Sequence, residues 1–290
     1  MKVRLTGASG QVGRALLKTK PANAEVRALT HAEMDIGDNA AVRRAVHSFA
    51  PDVVINAAAY TAVDKAESEE LAAILANAKG PHYLAEAVRD IAGARLIHIS
   101  TDYVFDGGGI QPHRPGDPTG PISVYGQTKL VGEQIVREVL GERAVILRTA
   151  WVYAPQGKNF LLTMLRLMKE RGTVDVVSDQ LGSPTTAASV ARAIWRLVEL
   201  PKVYGVLHWT DEGATSWYEF ARAIAEEAAE VGLLQEGVQV WPITTSEYPT
   251  AAQRPMNSVL DLRESAAQLD LKPVPWRENL SATLRMLASH

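Results

Sequence analysis

A tyrosine and a lysine four positions apart are the residues of this sequence best suited to move a proton. Tyr125 and Lys129 lie near the start of residues 123–140, a segment with helical spacing, and positions i and i+4 share one face of a helix. An unperturbed tyrosine has a pKa of about 10, and a neighbouring ammonium group favours the phenolate and lowers that pKa. The spacing therefore predicts a phenol that transfers a proton near neutral pH. The alternative is an exposed pair on an ordinary helix.

A second polar cluster, Ser100, Thr101 and Asp102, follows residues 96–99, an apolar segment typical of a buried strand. Ligands of open α/β sheets bind beyond the carboxyl ends of the strands. A hydroxyl at this place can donate a hydrogen bond to a substrate carbonyl oxygen. The simpler alternative for Thr101 is a loop hydroxyl that satisfies local backbone groups.

A glycine-rich turn at residues 6–13 reads Thr-Gly-Ala-Ser-Gly-Gln-Val-Gly, after a short apolar segment and before a helical one. Gly7 permits a sharp turn, Gly10 lets backbone amides approach a pyrophosphate, and Gly13 lets helix and strand pack closely. The helix N-terminus adds partial positive charge for the phosphates. This context favours a dinucleotide site over a tight surface turn, and the three motifs together predict hydride transfer.

The end of the second apolar segment bears on the choice of cofactor. A NAD site usually has an acidic residue about 20 positions beyond the glycines, bound to the ribose 2′-hydroxyl, but this segment ends Ala-Leu-Thr-His. A 2′-phosphate would meet no fixed repulsion there, and Arg14, Thr30 or His31 could contact it. The sequence therefore favours NADP(H), with NAD(H) as the alternative. Asp35 and Ile36 could border the adenine, unless Asp35 serves only to cap a helix.

Composition restricts the class of protein. The 290 residues are 47% hydrophobic and 22% charged, as in a globular protein with a real core. The 30 basic and 33 acidic residues give a net charge of −3, so we expect no nucleic-acid partner. The sequence has no cysteine, which excludes disulfides and cysteine nucleophiles. No apolar stretch approaches the roughly 18 residues of a membrane span or has the pattern of a signal peptide, so we expect a cytoplasmic protein with no membrane partner.

Strand-like and helix-like segments alternate along the first half of the chain. We expect strands at 2–5, 25–29, 53–55, 96–99 and 144–147, and helices at 12–18, 38–50, 64–91 and 123–140. A kink or break is expected at Gly80-Pro81. Wholly apolar strands are buried on both faces, and strand–helix alternation implies parallel pairing. This predicts an α/β fold with a Rossmann-type, doubly wound parallel sheet over residues 1–150.

The second half is less regular. We expect helices at 159–171, 187–200 and 217–231, and strands at 174–177, 206–209 and 240–243. These segments predict a smaller C-terminal α/β domain over residues 151–290 that binds the substrate. Its boundary is soft, because some of the segments are expected to return to the main sheet.

Longer motifs run along nearly the whole chain. They are Gly-Ala-Ser-Gly-Gln-Val-Gly at 7–13, Asn-Ala-Ala-Ala-Tyr-Thr-Ala-Val-Asp at 56–64, Ser-Thr-Asp-Tyr-Val-Phe-Asp-Gly at 100–107, Tyr-Gly-Gln-Thr-Lys at 125–129, Arg-Thr-Ala-Trp-Val-Tyr at 148–153, Asn-Phe at 159–160, Asp-Gln-Leu-Gly-Ser-Pro-Thr at 179–185 and Arg-Pro-Met-Asn-Ser at 254–258. Together they resemble the extended short-chain dehydrogenase/reductase superfamily and, more narrowly, the dTDP-4-dehydrorhamnose reductase family. The Tyr–Lys pair alone is typical of any short-chain reductase, whereas the string at 100–107 and the later motifs are much more specific.

The resemblance implies roles for individual residues. The catalytic residues are Thr101, Tyr125 and Lys129. The cofactor-binding residues, the glycine turn included, are Gly7, Gly10, Gln11, Val12, Asp35, Ile36, Ala57, Ala58, Ala59, Tyr60, Tyr125 and Lys129. The substrate-binding residues are Thr61, Val63, Asp102, Tyr103, Trp151 and Arg254. Arg254 is the candidate for the nucleotide diphosphate, since a guanidinium suits phosphate geometry; a surface ion pair is its alternative. Trp151 either shapes the sugar pocket or packs in the core.

The activity implied by the resemblance is the NADPH-dependent reduction of the C4 keto group of dTDP-4-dehydro-L-rhamnose to dTDP-L-rhamnose. Tyr125 would protonate the C4 oxygen, Lys129 would hold the nicotinamide ribose and lower the phenol pKa, and Thr101 would hydrogen-bond the same oxygen.

Two other functions stay open at this point. One is a non-catalytic nucleotide-binding regulatory subunit of the methionine adenosyltransferase type. The other is a sugar-nucleotide epimerase or dehydratase, which would retain NAD tightly; the acidic Asp102 beside the hydroxyl of Thr101 is a feature of such dehydratases. The nucleotide of the substrate, a homodimeric state and a requirement for Mg²⁺ are also left open, and we assign no metal ligand.

Overall fold

A six-stranded parallel sheet forms the centre of the computed structural model, which describes residues 1–289. The strands of the chain are β1 (Lys2–Thr6), β2 (Glu25–Leu29), β3 (Val53–Asn56), β4 (Arg95–Thr101), β5 (Ala144–Thr149), β6 (Val152–Tyr153), β7 (Thr173–Val177), β8 (Leu181–Gly182), β9 (Thr185–Thr186), β10 (Gly205–His208), β11 (Thr215–Ser216) and β12 (Gln239–Ile243). The central sheet has the order β2-β1-β3-β4-β5-β10, with every neighbouring pair parallel. The winding reverses at β1, and such a reversal leaves a crevice beyond the carboxyl ends of the strands.

Helices lie on both faces of this sheet and around a second core. They are α1 (Gln11–Lys18), α2 (Asn39–Phe49), α3 (Val63–Ala66), α4 (Glu70–Ile74), α5 (Gly80–Arg89), α6 (Val124–Leu140), α7 (Phe160–Arg171), α8 (Ala187–Glu199), α9 (Trp217–Glu230), α10 (Arg263–Leu269) and α11 (Trp276–Ala288). α1 and α8 pack on one face, and α2, α5 and α6 pack on the other. Strands such as β3 and β5 are buried along their whole length for this reason. The predicted Rossmann-type, doubly wound parallel sheet is confirmed.

Side-chain caps mark where several of the helices begin. Asp38 precedes α2, and its carboxylate accepts a hydrogen bond from the backbone N–H of Ala41 at 3.1 Å. Ser123 caps α6 in the same way through the N–H of Gly126, at 3.2 Å. Such caps satisfy amides that have no partner inside the helix. The cap at Ser123 places Tyr125 in the first turn of α6.

The helix is not broken at Gly80-Pro81, where the sequence predicted a kink or a break. Gly80 has helical dihedral angles, and a π-helical turn, Leu75–Lys79, runs directly into α5. Pro81 falls in the first turn of α5, where a missing N–H is tolerated. A Cβ on Gly80 would lie 2.8 Å from Ile36, so close packing explains the glycine. The irregularities lie earlier, between α3 and α4 and at the π turn, a feature frequent at functional sites.

Residues from the second half of the chain join both the central sheet and a separate core. β10 extends the sheet beside β5, and α8 packs against α1. α7, α9 and α11 surround another apolar core with the parallel ribbon β7–β12. The domain division at residue 150 stays a prediction. None of the helices in residues 1–289 combines the length and apolarity that a bilayer crossing requires.

Candidate active site

The three motifs with predicted chemistry meet at one cavity of about 560 Å³ beyond the carboxyl ends of β1, β3, β4 and β5, which we call the catalytic cavity. The predicted site residues that line it are Gly10, Gln11, Val12, Ala57, Ala58, Ala59, Thr61, Val63, Thr101, Asp102, Tyr103, Tyr125, Lys129, Trp151 and Arg254. Parallel strands bring these positions together because their carboxyl ends share one edge of the sheet. All three catalytic candidates therefore face one space.

A smaller cavity of about 220 Å³ adjoins the first across the glycine turn. It shares Gly10 and residues 57–59 with the catalytic cavity and also contacts Gly7, Asp35 and Ile36. Tyr60 lines neither cavity: its hydroxyl donates to Glu69 at 2.6 Å, and its N–H to the Asn77 side chain. The two cavities form a continuous groove along the glycine turn, with Tyr60 turned away from it.

Two glycines of the turn have no room for a side chain. Gly7 has a positive φ of 70°, and a Cβ there would lie 2.5 Å from the backbone nitrogen of Ala58. A Cβ on Gly13 would lie 2.2 Å from the carbonyl oxygen of Gly7. A glycine is thus required at position 13 because the backbone of the glycine turn packs directly against it. Backbone from the turn and from residues 57–59 forms the floor of both cavities, which suits close approach of a phosphate ligand.

Tyr125 is held by close packing at the start of α6. A Cβ on Gly126 would lie 2.2 Å from the carbonyl oxygen of Tyr103, so glycine lets α6 touch the turn after β4. The Tyr103 and Tyr125 rings meet edge to face, with centroids 6.0 Å apart. Burial raises the pKa of Tyr125 to about 12, with the charge of Asp102 adding to the rise and the hydroxyl of Thr101 opposing it. The phenol therefore keeps its proton at neutral pH.

Lys129 lies one turn further along α6 and is 2% exposed. Its Nζ donates to the carbonyl oxygen of Ile99 at 2.7 Å. Burial lowers the pKa of Lys129 to about 8, with Glu133 opposing that change. The predicted lowering of the Tyr125 pKa is wrong for the protein alone, because desolvation of the phenol raises that pKa and the groups that modify the rise are Thr101 and Asp102.

Thr101 and Asp102 form a hydrogen-bonded pair at the end of β4. The Thr101 hydroxyl donates to Asp102 Oδ1 at 2.9 Å and accepts from the N–H of Tyr103 at 3.2 Å. Burial raises the pKa of Asp102 to about 6, partly opposed by the nearby hydroxyls of Ser258 and Thr101. The carboxyl group beside the Thr101 hydroxyl thus changes charge at a pH of about 6.

Asp102→Asn is expected to raise the melting temperature at pH 8 and to change it little at pH 4. The folded-state pKa of about 6 exceeds the ordinary 3.8, so the folded protein loses stability as the pH rises between these values. Above that window the cost of the buried charge is fully present, and asparagine removes it while keeping an oxygen for Thr101. Thermal unfolding of both proteins across this pH range measures the effect. An equal change in melting temperature at pH 4 and at pH 8 would contradict the raised pKa of Asp102.

Three buried polar atoms on the catalytic cavity lack a hydrogen-bond partner within residues 1–289. They are Ser100 Oγ, Asp102 Oδ2 and Thr149 Oγ1. A buried polar atom left unpaired costs about 1–3 kcal/mol. These atoms therefore fit a polar ligand, such as the hydroxyl groups of a ribose or a sugar.

The family model described as the RmlD substrate binding domain matches residues 1–289. The chain belongs to the RmlD substrate binding domain family. A dTDP-4-dehydrorhamnose reductase from Aggregatibacter actinomycetemcomitans is 42% identical over 286 residues, which cover 96% of this chain and 97% of that protein. The family resemblance predicted from the motifs is confirmed.

Solved structures agree with this assignment to the RmlD family. The crystal structure of a dTDP-4-dehydrorhamnose reductase from Clostridium acetobutylicum superposes with a TM-score of 0.93 at 39% identity and covers 99% of both chains. That of dTDP-4-dehydrorhamnose reductase from Bacillus anthracis str. Ames, in complex with NADP, has a TM-score of 0.91 at 36% identity and covers 97% of this chain and 98% of that one.

Arg254 contacts both an acid and the catalytic cavity in this RmlD-family chain. Its Nη1 and Nη2 donate to the two carboxylate oxygens of Asp64, at 3.0 and 2.7 Å. It also lines a neighbouring cavity of about 600 Å³, which we call the outer cavity. The structure thus has the ion pair that was the alternative for Arg254, and the diphosphate role stays a prediction.

Of the three residues considered for a 2′-phosphate, only His31 lines one of the two cavities along the glycine turn. His31 lines the smaller cavity. The N–H and hydroxyl of Thr30 both donate to Glu33 at 2.8 Å, so that hydroxyl already has a partner. Arg14 is exposed on α1 and lines neither of the two cavities.

Within residues 1–289, no group of three or more His, Asp or Glu side chains is placed to hold a metal ion.

Sequence reasoning missed two large side chains of the RmlD-family site. Trp217, the first residue of α9, lines both the catalytic and the outer cavity. Lys158 lines the catalytic cavity from the loop before α7. Both lie in the less regular half, and neither stands in a motif that marks it; the helix cap Ser216 was the only local signal near Trp217.

Proposed function

We propose that this chain is an NADPH-dependent dTDP-4-dehydrorhamnose reductase, which reduces the C4 keto group of dTDP-4-dehydro-L-rhamnose to give dTDP-L-rhamnose. The observation that carries the proposal is the convergence of Thr101, Tyr125 and Lys129 on one cavity floored by a glycine turn. Full-length relatives of this name, at about 40% identity, support the choice of substrate.

NADP(H) is the cofactor we propose, with NAD(H) as the alternative. The glycine turn, residues 57–59, Asp35 and Ile36 would hold it along the groove, and His31 is placed to meet a 2′-phosphate. The NADP complex of the relative from Bacillus anthracis supports this preference. When bound, NADPH supplies the hydride that adds to C4 of the sugar.

The protein's own residues would supply the proton and position the carbonyl. The Tyr125 phenol, protonated at neutral pH, gives its proton to the C4 oxygen as negative charge develops there. Thr101 donates a hydrogen bond to the same oxygen, which requires its hydroxyl to turn away from Asp102. Lys129 holds the nicotinamide ribose. The phenolate of Tyr125 then regains a proton from solvent, so the reaction consumes one hydride and one proton.

The substrate would extend from the catalytic cavity toward the outer cavity. Thr61, Val63, Asp102, Tyr103 and Trp151 are the proposed contacts of the sugar. The two cavities share Trp217 and Arg254, which supports room for a diphosphate and a nucleoside beyond the sugar. A cytoplasmic location and a homodimer stay predictions.

NADPH consumption on addition of dTDP-4-dehydro-L-rhamnose tests the proposal, with NADH measured in parallel and the product identified by NMR. We expect oxidation of NADPH with stoichiometric formation of dTDP-L-rhamnose. Cofactor binding without turnover would favour the non-catalytic subunit. A purified protein that retains NAD and turns over without net oxidation would favour an epimerase or dehydratase.

A further inference from the structure

Trp151, on the wall of the catalytic cavity, has a strained backbone. Its φ is +46°, in the left-handed region that residues with a bulky side chain rarely adopt. Such a conformation persists only where the surrounding structure fixes it, and it is concentrated at ligand sites. Specific contacts of Trp151 must therefore hold its indole ring at the cavity.

The first of these contacts is a stack with Trp217. The two indole rings are 3.4 Å apart between centroids and inclined by only 6°. Trp217 in turn contacts Phe160, with ring centroids 4.6 Å apart. At this spacing the two indole faces are in van der Waals contact, so Trp217 covers one face of the Trp151 ring.

The second contact is with Gly182, where a Cβ would lie 2.3 Å from the Trp151 ring. Any side chain at this position would displace the indole. Gly182 pairs with Thr215 in the antiparallel ribbon β8–β11, and Trp217 follows that ribbon directly. One short ribbon therefore carries both contacts that confine the Trp151 ring.

We propose that Trp217 is a positioning residue, which together with Gly182 holds Trp151 in its strained conformation and so sets the width of the sugar pocket. Gly182 and Trp217 lie on other elements than the glycine turn, so we expect the support to act on the sugar nucleotide more than on the cofactor. This inference rests on the proposed function for its substrate, whereas the stack itself can be tested without turnover.

Trp217→Ala is expected to raise the KM for the sugar nucleotide about tenfold, as for loss of one aromatic stack. We expect kcat and the Kd of NADPH to stay within about twofold of wild type, because Tyr125 and the glycine turn are untouched. Trp217→Phe, which keeps an aromatic face, should restore most of the affinity. Trp241→Phe is the matched control: Trp241 is 56% exposed and lines neither the catalytic nor the outer cavity.

Circular dichroism tests the stack independently of activity. Two stacked indoles give an exciton couplet, which should disappear in Trp217→Ala and in Trp151→Ala and persist in Trp241→Phe. Gly182→Ala pushes a methyl group toward the Trp151 ring and should raise the KM for the sugar nucleotide. This variant replaces Trp217→Ala in the test if Trp217→Ala does not fold.

An unchanged KM in both Trp217→Ala and Gly182→Ala would overturn the proposal. So would a parallel loss of NADPH affinity, which would indicate general collapse of the fold. If wild type shows the couplet but no turnover, the proposed function fails, and the Kd of dTDP-L-rhamnose, measured by calorimetry, replaces KM for the same variants. No change in that Kd would then reject the positioning role.

Discussion

Tyr125→Phe is expected to lower kcat by about 10²–10⁴-fold, the usual contribution of a positioned proton donor. Phenylalanine keeps the ring and its edge-to-face contact with Tyr103, so only the hydroxyl is lost. Because the proton of the phenol is needed only as charge develops on the substrate oxygen, KM and the Kd of NADPH should change little. Steady-state rates and a fluorescence titration with NADPH measure the two effects separately.

Tyr153→Phe is a matched control for this substitution. Tyr153 is 1% exposed, whereas Tyr125 is half-buried at the cavity wall, and burial raises the pKa of both phenols. Its hydroxyl has no hydrogen-bond partner in the described residues and lines neither the catalytic nor the smaller cavity. Removing it should leave kcat unchanged. Near-wild-type turnover in Tyr125→Phe, or an equal loss in Tyr153→Phe, would reject Tyr125 as the proton donor.

The sequence predicts those parts of the site that depend on strand order alone. Residues 53–55 of β3 and 144–147 of β5 are all apolar and buried, so the pairing of these strands in a parallel sheet follows from the pattern. Once the sheet is parallel, Thr101 at the end of β4 and the glycine turn after β1 must lie at the same edge. The cap at Ser123 then places Tyr125 at the start of α6.

Properties that depend on the depth of burial and on distant contacts are not visible in the sequence. The spacing of Tyr125 and Lys129 indicates a charge near the phenol, but the pKa is governed by desolvation of both groups. Tyr60 turns toward Glu69, a competing acceptor that the motif does not reveal. The ribbon β8–β11 places Trp217 against Trp151. Its two-residue strands are too short to show a periodic pattern in the sequence.

Glu133→Gln is expected to lower the free energy of unfolding by about 3 kcal/mol, the low end of the range for breaking a buried ion pair. Glu133 on α6 and Arg148 on β5 have side chains that are 2% and 4% exposed. Arg148 Nε and Nη2 donate to the carboxylate at 3.0 and 2.7 Å. Glutamine keeps the size and one acceptor but leaves the guanidinium charge buried without a counter-ion.

The pair Arg166–Glu170 provides the control, because it has a similar distance of 2.9 Å on an exposed helix face, with 60% and 52% exposure. Glu170→Gln should cost at most about 0.5 kcal/mol. Chemical denaturation of both variants measures the difference. Equal effects would contradict the view that burial, and not the contact distance, makes the Glu133–Arg148 pair important for stability.

Glu133→Gln should also change the pKa of Lys129, because Glu133 lies one helical turn beyond it. The carboxylate of Glu133 raises the pKa of Lys129, against the lowering caused by burial. Without it, Lys129 should lose its proton below the wild-type value of about 8. We therefore expect the alkaline limit of kcat/KM to move to lower pH in Glu133→Gln and to stay in place in Glu170→Gln. An unmoved limit in a folded Glu133→Gln protein would mean that the charge of Lys129 does not control the reaction.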